Sequence, residues 1–408
     1  MDFDAATIKE AMPLAEYIQT HYPNEPIVLK GGNEFICCPV HDDKEPSCLL
    51  NDYTYKCFSC GATGSILDFV AAKEAYELPS DFLRVCQHIG DQLGIDVKIT
   101  PPNPAHEAYK DELDELNKRY WKELKSNPEA VQYLTQERGL TPETIRAFRL
   151  GATPADEYVT RNRGFISNRL VFPILEMKAP AKGKRTKCIA MAYRKLDHDS
   201  DEPKYVNDPN QDGLKGKNPE LKGVFMKGET LYGYPQAYEE IRKRKFAIVV
   251  EGYMDVISMH QAGLKNTVGC MGTALTEVQM TILRKITSNL YLFLDSDAAG
   301  QRNMVRVLPA LLAKGFSVKI INGSNGKDPA DICKEFEFKT DRVNRYIKDH
   351  SEYAVASVIN QCCQSYEETI IRERTMALRT IMPLLETIQD PCERLVLEKL
   401  LYKKLDLE

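Results

Sequence analysis

No stretch of this chain approaches the roughly 20 consecutive apolar residues that a membrane span needs. The acidic start Met1-Asp2-Phe3-Asp4 also lacks the apolar region of a secretory signal. These absences predict a protein of the cytoplasm with no membrane partner. There is no internal repeat, no low-complexity tract and no Gly-x-x-x-x-Gly-Lys-Ser/Thr loop of the kind a P-loop ATPase uses. An excess of positive charge is missing too: a net charge of −5 excludes a molecule-wide basic glove for nucleic acid. Basic charge is local instead, at Arg161, Arg163 and Arg169, at Lys178, Lys182, Lys184, Arg185 and Lys187, and from Arg242 to Lys245. Patches of this kind serve equally as solvated faces or as phosphate contacts. The chain has 12 cysteines; with no export signal, they point to a reducing compartment in which thiols stay free or bind metal.

What the chain does have is acid at the ends of apolar runs. Phe246-Ala-Ile-Val-Val250 leads into Glu251-Gly-Tyr-Met-Asp255, and Leu290-Tyr-Leu-Phe-Leu294 leads into Asp295-Ser-Asp297-Ala-Ala-Gly300. Short continuous apolar runs read as buried strands, which belong to parallel sheets covered by helices. Ligands bind beyond the carboxyl ends of such strands. Carboxylates gathered there repel one another unless a cation neutralises them, and a hard divalent ion such as Mg²⁺ or Mn²⁺ acting on phosphate is the usual answer. Asp295 and Asp297 straddle one residue, so an extended segment aims both to one side. Asp255 follows Glu251 by one helical turn.

Near the N-terminus, Cys38-Pro-Val-His41 is separated by fifteen residues from Cys57-Phe-Ser-Cys60. Two ligand pairs on tight turns are what a tetrahedral zinc needs, and a closed set of four predicts one structural ion. Cys37 and Cys48 break the spacing and read as small buried side chains.

The spacing of apolar, charged and proline residues divides the chain into 1–98, a small metal-bearing module; 99–106, a proline-rich linker; 107–225, mixed short helices and strands; 226–340, alternating strands and helices; and 341–408, helical. Helices are expected at Ile8–His21, Ser65–Ala75, Ser80–Leu93, Glu107–Lys125, Ser351–Gln364, Glu367–Ile388 and Cys392–Lys404.

The order Cys-Pro-Val-His, Pro46-Ser47, Tyr55-Lys-Cys-Phe-Ser-Cys and Asp68-Phe69 resembles the zinc ribbon of bacterial DnaG-type DNA primases. The resemblance continues through Asn168-Arg-Leu-Val-Phe-Pro-Ile174, Ala192-Tyr-Arg194, Pro203-Lys-Tyr-Val-Asn207, Phe225-Met-Lys227-Gly and Leu231-Tyr-Gly233. Glu251 to Asp255 and Asp295 to Gly300 look like the two TOPRIM motifs, so the likeness covers about residues 5–340. It implies a multidomain α+β protein: a DNA-binding zinc ribbon, then an α/β TOPRIM-containing RNA polymerase core closed by a helical bundle. It also implies a primase that makes short RNA primers on single-stranded DNA from ribonucleoside triphosphates, leaving an RNA–DNA hybrid.

The family's site carries over residue by residue. Glu251, Asp255, Asp295, Asp297 and Asp328 are expected to hold Mg²⁺ or Mn²⁺, with Glu251 as ligand or general base. Arg169, Arg194, Lys204, Tyr205, Asn207 and Lys227 are expected at nucleotide or template, although packing serves Tyr205 and Asn207 as well. The third acidic element departs from the family's Asp-Pro-Asp, because Asp328-Pro-Ala-Asp331 sets Asp331 one place late, where it caps a helix or binds metal. Gly272 and Thr273 read as part of the nucleotide site or as a plain turn.

Two other readings compete: a TOPRIM enzyme that cleaves DNA, and a zinc-plus-TOPRIM binding factor without catalysis. The complete acidic set speaks against the second. Family primases continue into a further domain that docks on the replicative helicase. Here a helicase contact is expected, if at all, through helices 367–404.

Overall fold

Between Val28 and Ser65 the side chains alternate in character, and the backbone forms a meander of short strands. In the computed structural model these are β1 (Val28–Lys30), β2 (Asn33–Ile36), β3 (Cys48–Leu50), β4 (Thr54–Cys57) and β5 (Thr63–Ser65), each antiparallel to the next. The structure describes the chain apart from residues 1–7, 9, 44, 79–80, 96, 98–102, 157, 160–163, 178–185, 197–200, 211–218, 273–274, 295–297, 323–326, 365–370, 389 and 408. It falls into two units, Met1–Asn103 and Pro104–Glu408.

In the first unit, one face of the meander, with Ile36, Cys48, Leu50, Tyr55 and Cys57, packs on helices α1 (Leu14–His21), α2 (Ile66–Lys73) and α3 (Phe82–Leu93). Tyr17, Phe69 and Ile89 lie at the centre of this core. Asp68 fastens the start of α2 by accepting the Ser65 N–H at 2.7 Å and its hydroxyl at 2.9 Å. The helix expected over Ile8–His21 is interrupted: Ile8 is helical, residues 10–13 turn, and α1 starts at Leu14, because Pro13 biases the preceding residue toward extended backbone.

In the second unit, α4 (Pro104–Ser126) starts at its proline, a residue suited to the first helical position. The short helix α5 (Pro128–Gln132) runs into a π-helical turn at Tyr133–Glu137, and α6 (Pro142–Ala147) follows. An antiparallel sheet is ordered β11 (Tyr205–Asn207), β10 (Cys188–Lys195), β9 (Arg169–Leu175), β6 (Gly151–Ala152), while β7 (Tyr158–Val159) and β8 (Gly164–Phe165) pair separately. Every residue of β9 is buried because both its faces are covered. Val171, Met191 and Tyr193 face a cluster with Leu113 and Tyr120 of α4, while Leu170, Phe172, Ala190 and Ala192 join the larger core.

A second sheet is ordered β13 (Thr267–Gly269), β12 (Ala247–Val250), β14 (Asn289–Leu292), β15 (Ser317–Ile321), β16 (Ser351–Tyr353). The first four strands are parallel and β16 is antiparallel to β15. Helices α7 (Tyr234–Arg244), α8 (Tyr253–Gln261), α9 (Glu277–Arg284), α10 (Ala298–Ala313), α11 (Pro329–Glu335) and α12 (Thr340–His350) alternate with these strands. The alternation places the carboxyl ends of β12, β13, β14 and β15 on one side.

One expectation fails here. Ser351–Tyr353 is a strand rather than the start of a helix, and helix α13 (Ala354–Gln364) begins after it. Side-chain periodicity carries no information about an open row of backbone groups on β15, which these three residues satisfy. Helices α14 (Ile371–Glu386) and α15 (Pro391–Lys404) complete the unit. Ile381, Leu385, Leu397 and Leu401 share one core with Leu290 and Val318 of the sheet, so the terminal helices are built into the α/β unit. Among the described residues no helix is long and apolar enough to cross a membrane.

Candidate active site and metal centre

Cys38 follows β2 and Cys57 ends β4, so the turn after each strand delivers a second donor, His41 and Cys60, to the same point. The four donor atoms lie within 4.8 Å of one another. Two sulfurs bound at about 2.3 Å to a tetrahedral zinc sit roughly 3.8 Å apart; Cys38 and Cys60 Sγ are separated by 3.7 Å. His41 Nδ1 is buried with no hydrogen-bond partner among the described residues, and His41 Nε2 lies 4.0 Å from Asp43 Oδ1. Asp43 in turn accepts the Cys38 N–H at 3.1 Å and the Ser47 hydroxyl. A carboxylate behind the ligating histidine is the outer shell that zinc sites favour. Burial works to raise the Cys57 thiol, yet the Ser47 hydroxyl and the N–H groups of Cys60 and Ser59 outweigh it and pull it down to about 6. The residues therefore fit a structural zinc.

Cys48 is buried and faces Cys57 across β3 and β4. Burial and the neighbouring sulfurs push its thiol up, so it stays a small neutral side chain, as its spacing implied. Cys37 is only partly buried, because it points to the face opposite Cys38.

The other face of this meander carries a different chemistry. The register lines up Val28, Phe35, Leu49, Lys56 and Thr63 across all five strands. Phe58 is 63% exposed, with its ring 6.5 Å from that of Phe35. The Lys56 ammonium lies 5.7 Å from the Phe58 ring and that of Lys30 5.7 Å from the Phe35 ring.

In the second unit Glu251 is the first residue beyond β12, and its carbonyl accepts the Met271 N–H at 3.1 Å. Asp255, in the first turn of α8, is 8% exposed. Its Oδ2 accepts the Gly252 N–H at 3.0 Å and its Oδ1 the Ala330 N–H at 3.3 Å, so one carboxylate clasps the starts of α8 and α11 together. A Cβ on Gly252 would lie 2.6 Å from that carboxylate, so only glycine leaves it room. Asp328 caps α11 by accepting the Asp331 N–H at 2.7 Å. The cap is thus Asp328, whereas the sequence reading offered Asp331; the Asp-Pro pair sets Asp328 just before a proline at the first helical position. Asp295 and Asp297 lie outside the described residues, as do Thr273, Arg161, Arg163, Lys178, Lys182, Lys184 and Arg185. β14 is carried toward Asp295 by Phe293, whose N–H donates to Val249 O at 2.9 Å. Carboxylates collected at strand ends are the hard donor set that suits Mg²⁺ or Mn²⁺.

Cations face this acid. The Arg194 guanidinium lies 4.9 Å from the Tyr133 ring and 5.5 Å from the Tyr205 ring. Arg138 lies 5.3 Å from the other contact on Tyr133, its ring, and donates from Nε to the Tyr133 hydroxyl at 2.7 Å. Partial burial, Arg194 and Arg138 hold the Lys204 ammonium below the usual lysine range, with Asp328 and Asp255 acting the other way. Lys204 therefore sits within electrostatic reach of Asp328 and Asp255, and Arg138 within reach of Asp328.

Arg169 is 2% exposed and donates to Pro203 O at 3.0 Å and to Glu202, so it anchors the segment that carries Lys204. Tyr205 accepts from Arg194 Nη1 at 3.3 Å, and Asn207 Oδ1 accepts from the Tyr253 hydroxyl at 2.6 Å. The Tyr253 ring stacks on Phe172 at 5.4 Å, joining the antiparallel sheet to α8. Lys227 lies on a tight turn, and its N–H donates to Asn210 Oδ1 at 2.8 Å. Sequence reasoning missed Arg138 and Tyr133. Their signal was the spacing of five, which a π-helical turn brings to one side.

Comparison with known proteins agrees with this geometry. A "CHC2 zinc finger" family model matches residues 6–103 and a "Toprim-like" model residues 248–333. The DNA primase of Aquifex aeolicus is 30% identical over 357 residues, covering 82% of this chain and 67% of the relative. That of Helicobacter pylori strain J99 is 31% identical over 339 residues, covering 76% of this chain and 56% of the relative. The chain thus spans between about half and two thirds of the length of these relatives. Among solved structures, the zinc-binding and RNA polymerase domains of the Aquifex aeolicus primase are similar over 100% of this chain and 98% of that one, with a TM-score of 0.58 and 25% identity. A DnaG primase catalytic domain bound to single-stranded DNA shares the fold, with a TM-score of 0.60 and 24% identity over 74% of this chain and 98% of that one. A zinc ribbon and a TOPRIM core in one chain, together with these relatives, place the protein in the DnaG-type DNA primase family.

Proposed function

We propose that this chain makes short RNA primers de novo on single-stranded DNA, in the cytoplasm, by metal-dependent nucleotidyl transfer. The observation that carries this reading is that Arg138 and Arg194 share the Tyr133 ring and that Lys204 lies within electrostatic reach of both and of Asp255 and Asp328, acids fixed at helix starts beside the strand end that bears Glu251. Cations hold a triphosphate, and acid holds the ion that works on it. When bound, a cation of the Mg²⁺ or Mn²⁺ class supplies Lewis acidity toward phosphate oxygens.

The residues divide the remaining work. Glu251, Asp295 and Asp297 hold the metal, while Asp255 and Asp328 fix the frame around it and add negative charge. Arg138, Arg194, Lys204 and Lys227 grip the ribonucleoside triphosphate and the template backbone, and Arg169 holds the Lys204 segment in place. Tyr205 and Asn207 complete the wall through Arg194 and Tyr253. In the transfer, the 3′-hydroxyl oxygen of one nucleotide bonds to the α-phosphorus of the next, its proton leaves, and the bond to pyrophosphate breaks. The product is an RNA–DNA hybrid.

The exposed sheet face of the first unit supports a template role. Phe35 and Phe58 offer rings for bases, and Lys30 and Lys56 lie beside them for phosphates. This combination binds single strands without demanding sequence, each stacked base contributing about 1–3 kcal/mol.

The test is primer-free synthesis from labelled ribonucleotides and Mg²⁺ on single-stranded templates covering all trinucleotides, with Asp295→Ala as control. Short RNA that vanishes in the variant is expected. Absence of product on every template with zinc bound, or strand scission in the same gel, overturns the reading. A replicative helicase is the further partner it implies, and capture of the helicase by the full chain is the measurement for that.

A further inference from the structure

Gln279 has no solvent exposure, although it carries an amide. It sits in the first turn of α9, where its Oε1 accepts the Thr276 N–H at 3.0 Å and its own N–H donates to Thr276 Oγ1 at 3.2 Å. The oxygen end is thereby committed to the helix cap. The nitrogen end faces three backbone carbonyls: Thr230 at 2.7 Å, Cys270 at 3.3 Å and Lys227 at 3.4 Å. Turning the amide over would set oxygen against three oxygens, so the orientation is fixed by its surroundings. The Thr276 hydroxyl adds a bond to Gly228 O.

These carbonyls belong to two separate pieces of chain. Lys227, Gly228 and Thr230 make up the turn that presents the Lys227 cation. Cys270 lies just past β13; its N–H donates to Val250 O at 3.0 Å, and the next N–H, of Met271, donates to Glu251 O at 3.1 Å. Met271 has φ +57°, a left-handed conformation uncommon for a side chain of its kind and kept only where the surroundings impose it. A cap of α9 needs one acceptor and one donor; three further bonds to two distant segments exceed what capping requires.

We propose that Gln279 is a positioning residue that sets the separation between Lys227 and Glu251, and so the place of the triphosphate relative to the metal. The inference rests on the nucleotidyl-transfer reading above and adds the device that holds its two halves in register. Misplacing reacting groups by about 1 Å costs on the order of a hundredfold in rate, so loss of one buried brace should be plainly visible.

The experiment measures Kd for a fluorescent ribonucleoside triphosphate with Mn²⁺, and KM and kcat in primer synthesis, for the full chain and two variants. Gln279→Met keeps the length and removes the donors. Thr276→Val leaves the amide and cuts the hydroxyl bond to Gly228 together with the cap bond from the Gln279 N–H. The expected result for Gln279→Met is a fall of about a hundredfold in kcat/KM, carried by kcat together with a rise in nucleotide Kd, with affinity for single-stranded DNA unchanged. Thr276→Val shifts the same quantities in the same direction by about two- to threefold, and it decides the matter if Gln279→Met does not fold. A result with kcat, KM and nucleotide Kd all as in the wild type, or a loss matched by an equal loss of affinity for single-stranded DNA, marks a merely structural amide and overturns the proposal. A wild-type chain that binds no nucleotide overturns the underlying functional reading instead, and is told apart because the variants play no part in it.

Discussion

The zinc centre and the acidic site put their donors together in opposite ways. Cys38, His41, Cys57 and Cys60 come from one short stretch, each a turn away from a strand of the same meander. Arg138, Arg194, Lys204, the Glu251–Asp255 motif and Asp328 come from five separate places, brought into range by two sheets and the helices between them. In the first unit the ion completes the structure. In the second the structure comes first, and carboxylates such as Asp255 are held in place by backbone N–H groups. Local donor sets depend on their metal for folding, whereas distributed ones depend on the fold for their metal.

The largest effect that tests this contrast is zinc removal. Structural zinc contributes about 10 kcal/mol or more in small domains, so a chelator or Cys57→Ser should unfold residues 1–103 while 104–408 stays folded. Circular dichroism with limited proteolysis reads this directly, and a single transition for the whole chain would break the comparison.

Next comes the acidic site. Glu251→Gln should lower primer synthesis by roughly a thousandfold with the melting temperature of the core unchanged. Asp255→Asn should cost activity and also about 1–3 kcal/mol of stability, because one of two backbone N–H groups loses its acceptor. Equal melting temperatures for the two variants would show that Asp255 is not the clasp described here.

Arg138→Ala should raise the nucleotide KM about tenfold, from loss of one charge-assisted contact. Arg138→Lys should recover only part of this, since a point charge cannot reproduce a planar fork over Tyr133.

The smallest effect is a pH slope belonging to the core. His260 is buried, its Nε2 is 2.8 Å from Thr267 O, and burial pushes it down from the usual 6.5 to about 4. A histidine held neutral in the fold contributes stability that is complete above pH 6.5 and lost as pH falls toward 4, a total of about 3 kcal/mol. Urea unfolding of the second unit at pH 7 and pH 4.5 checks it, and His260→Phe should flatten the slope.

What could be read from the sequence follows the same division. The zinc ligands were legible because spacing within one stretch is itself geometry. Glu251 was legible because an acid that closes an apolar run has few other places to be. Arg138 was not, since its link to Tyr133 spans five residues and a helix read with a period of 3.6 places them apart. The cap at Asp328 was written in Asp328-Pro329, while Asp331, within the first turn of the same helix, offered a second acid that could do the same. β16 left no trace in periodicity, because three residues answer to a vacant neighbour and not to a pattern of their own.

That short strand has a practical consequence. Lys319↔Tyr353, Ile320↔Glu352 and Ile321↔Ser351 cover the flank of β15. A chain cut before Ser351, where the sequence pattern of alternating strands and helices gives way to a helical one, would leave that flank as a bare template for a neighbouring molecule. It would also strip Val318 and Ile320 of the helices that bury them. Such a fragment should self-associate into aggregates at concentrations where the full chain stays dispersed, so the shortest workable catalytic piece has to reach past Leu401.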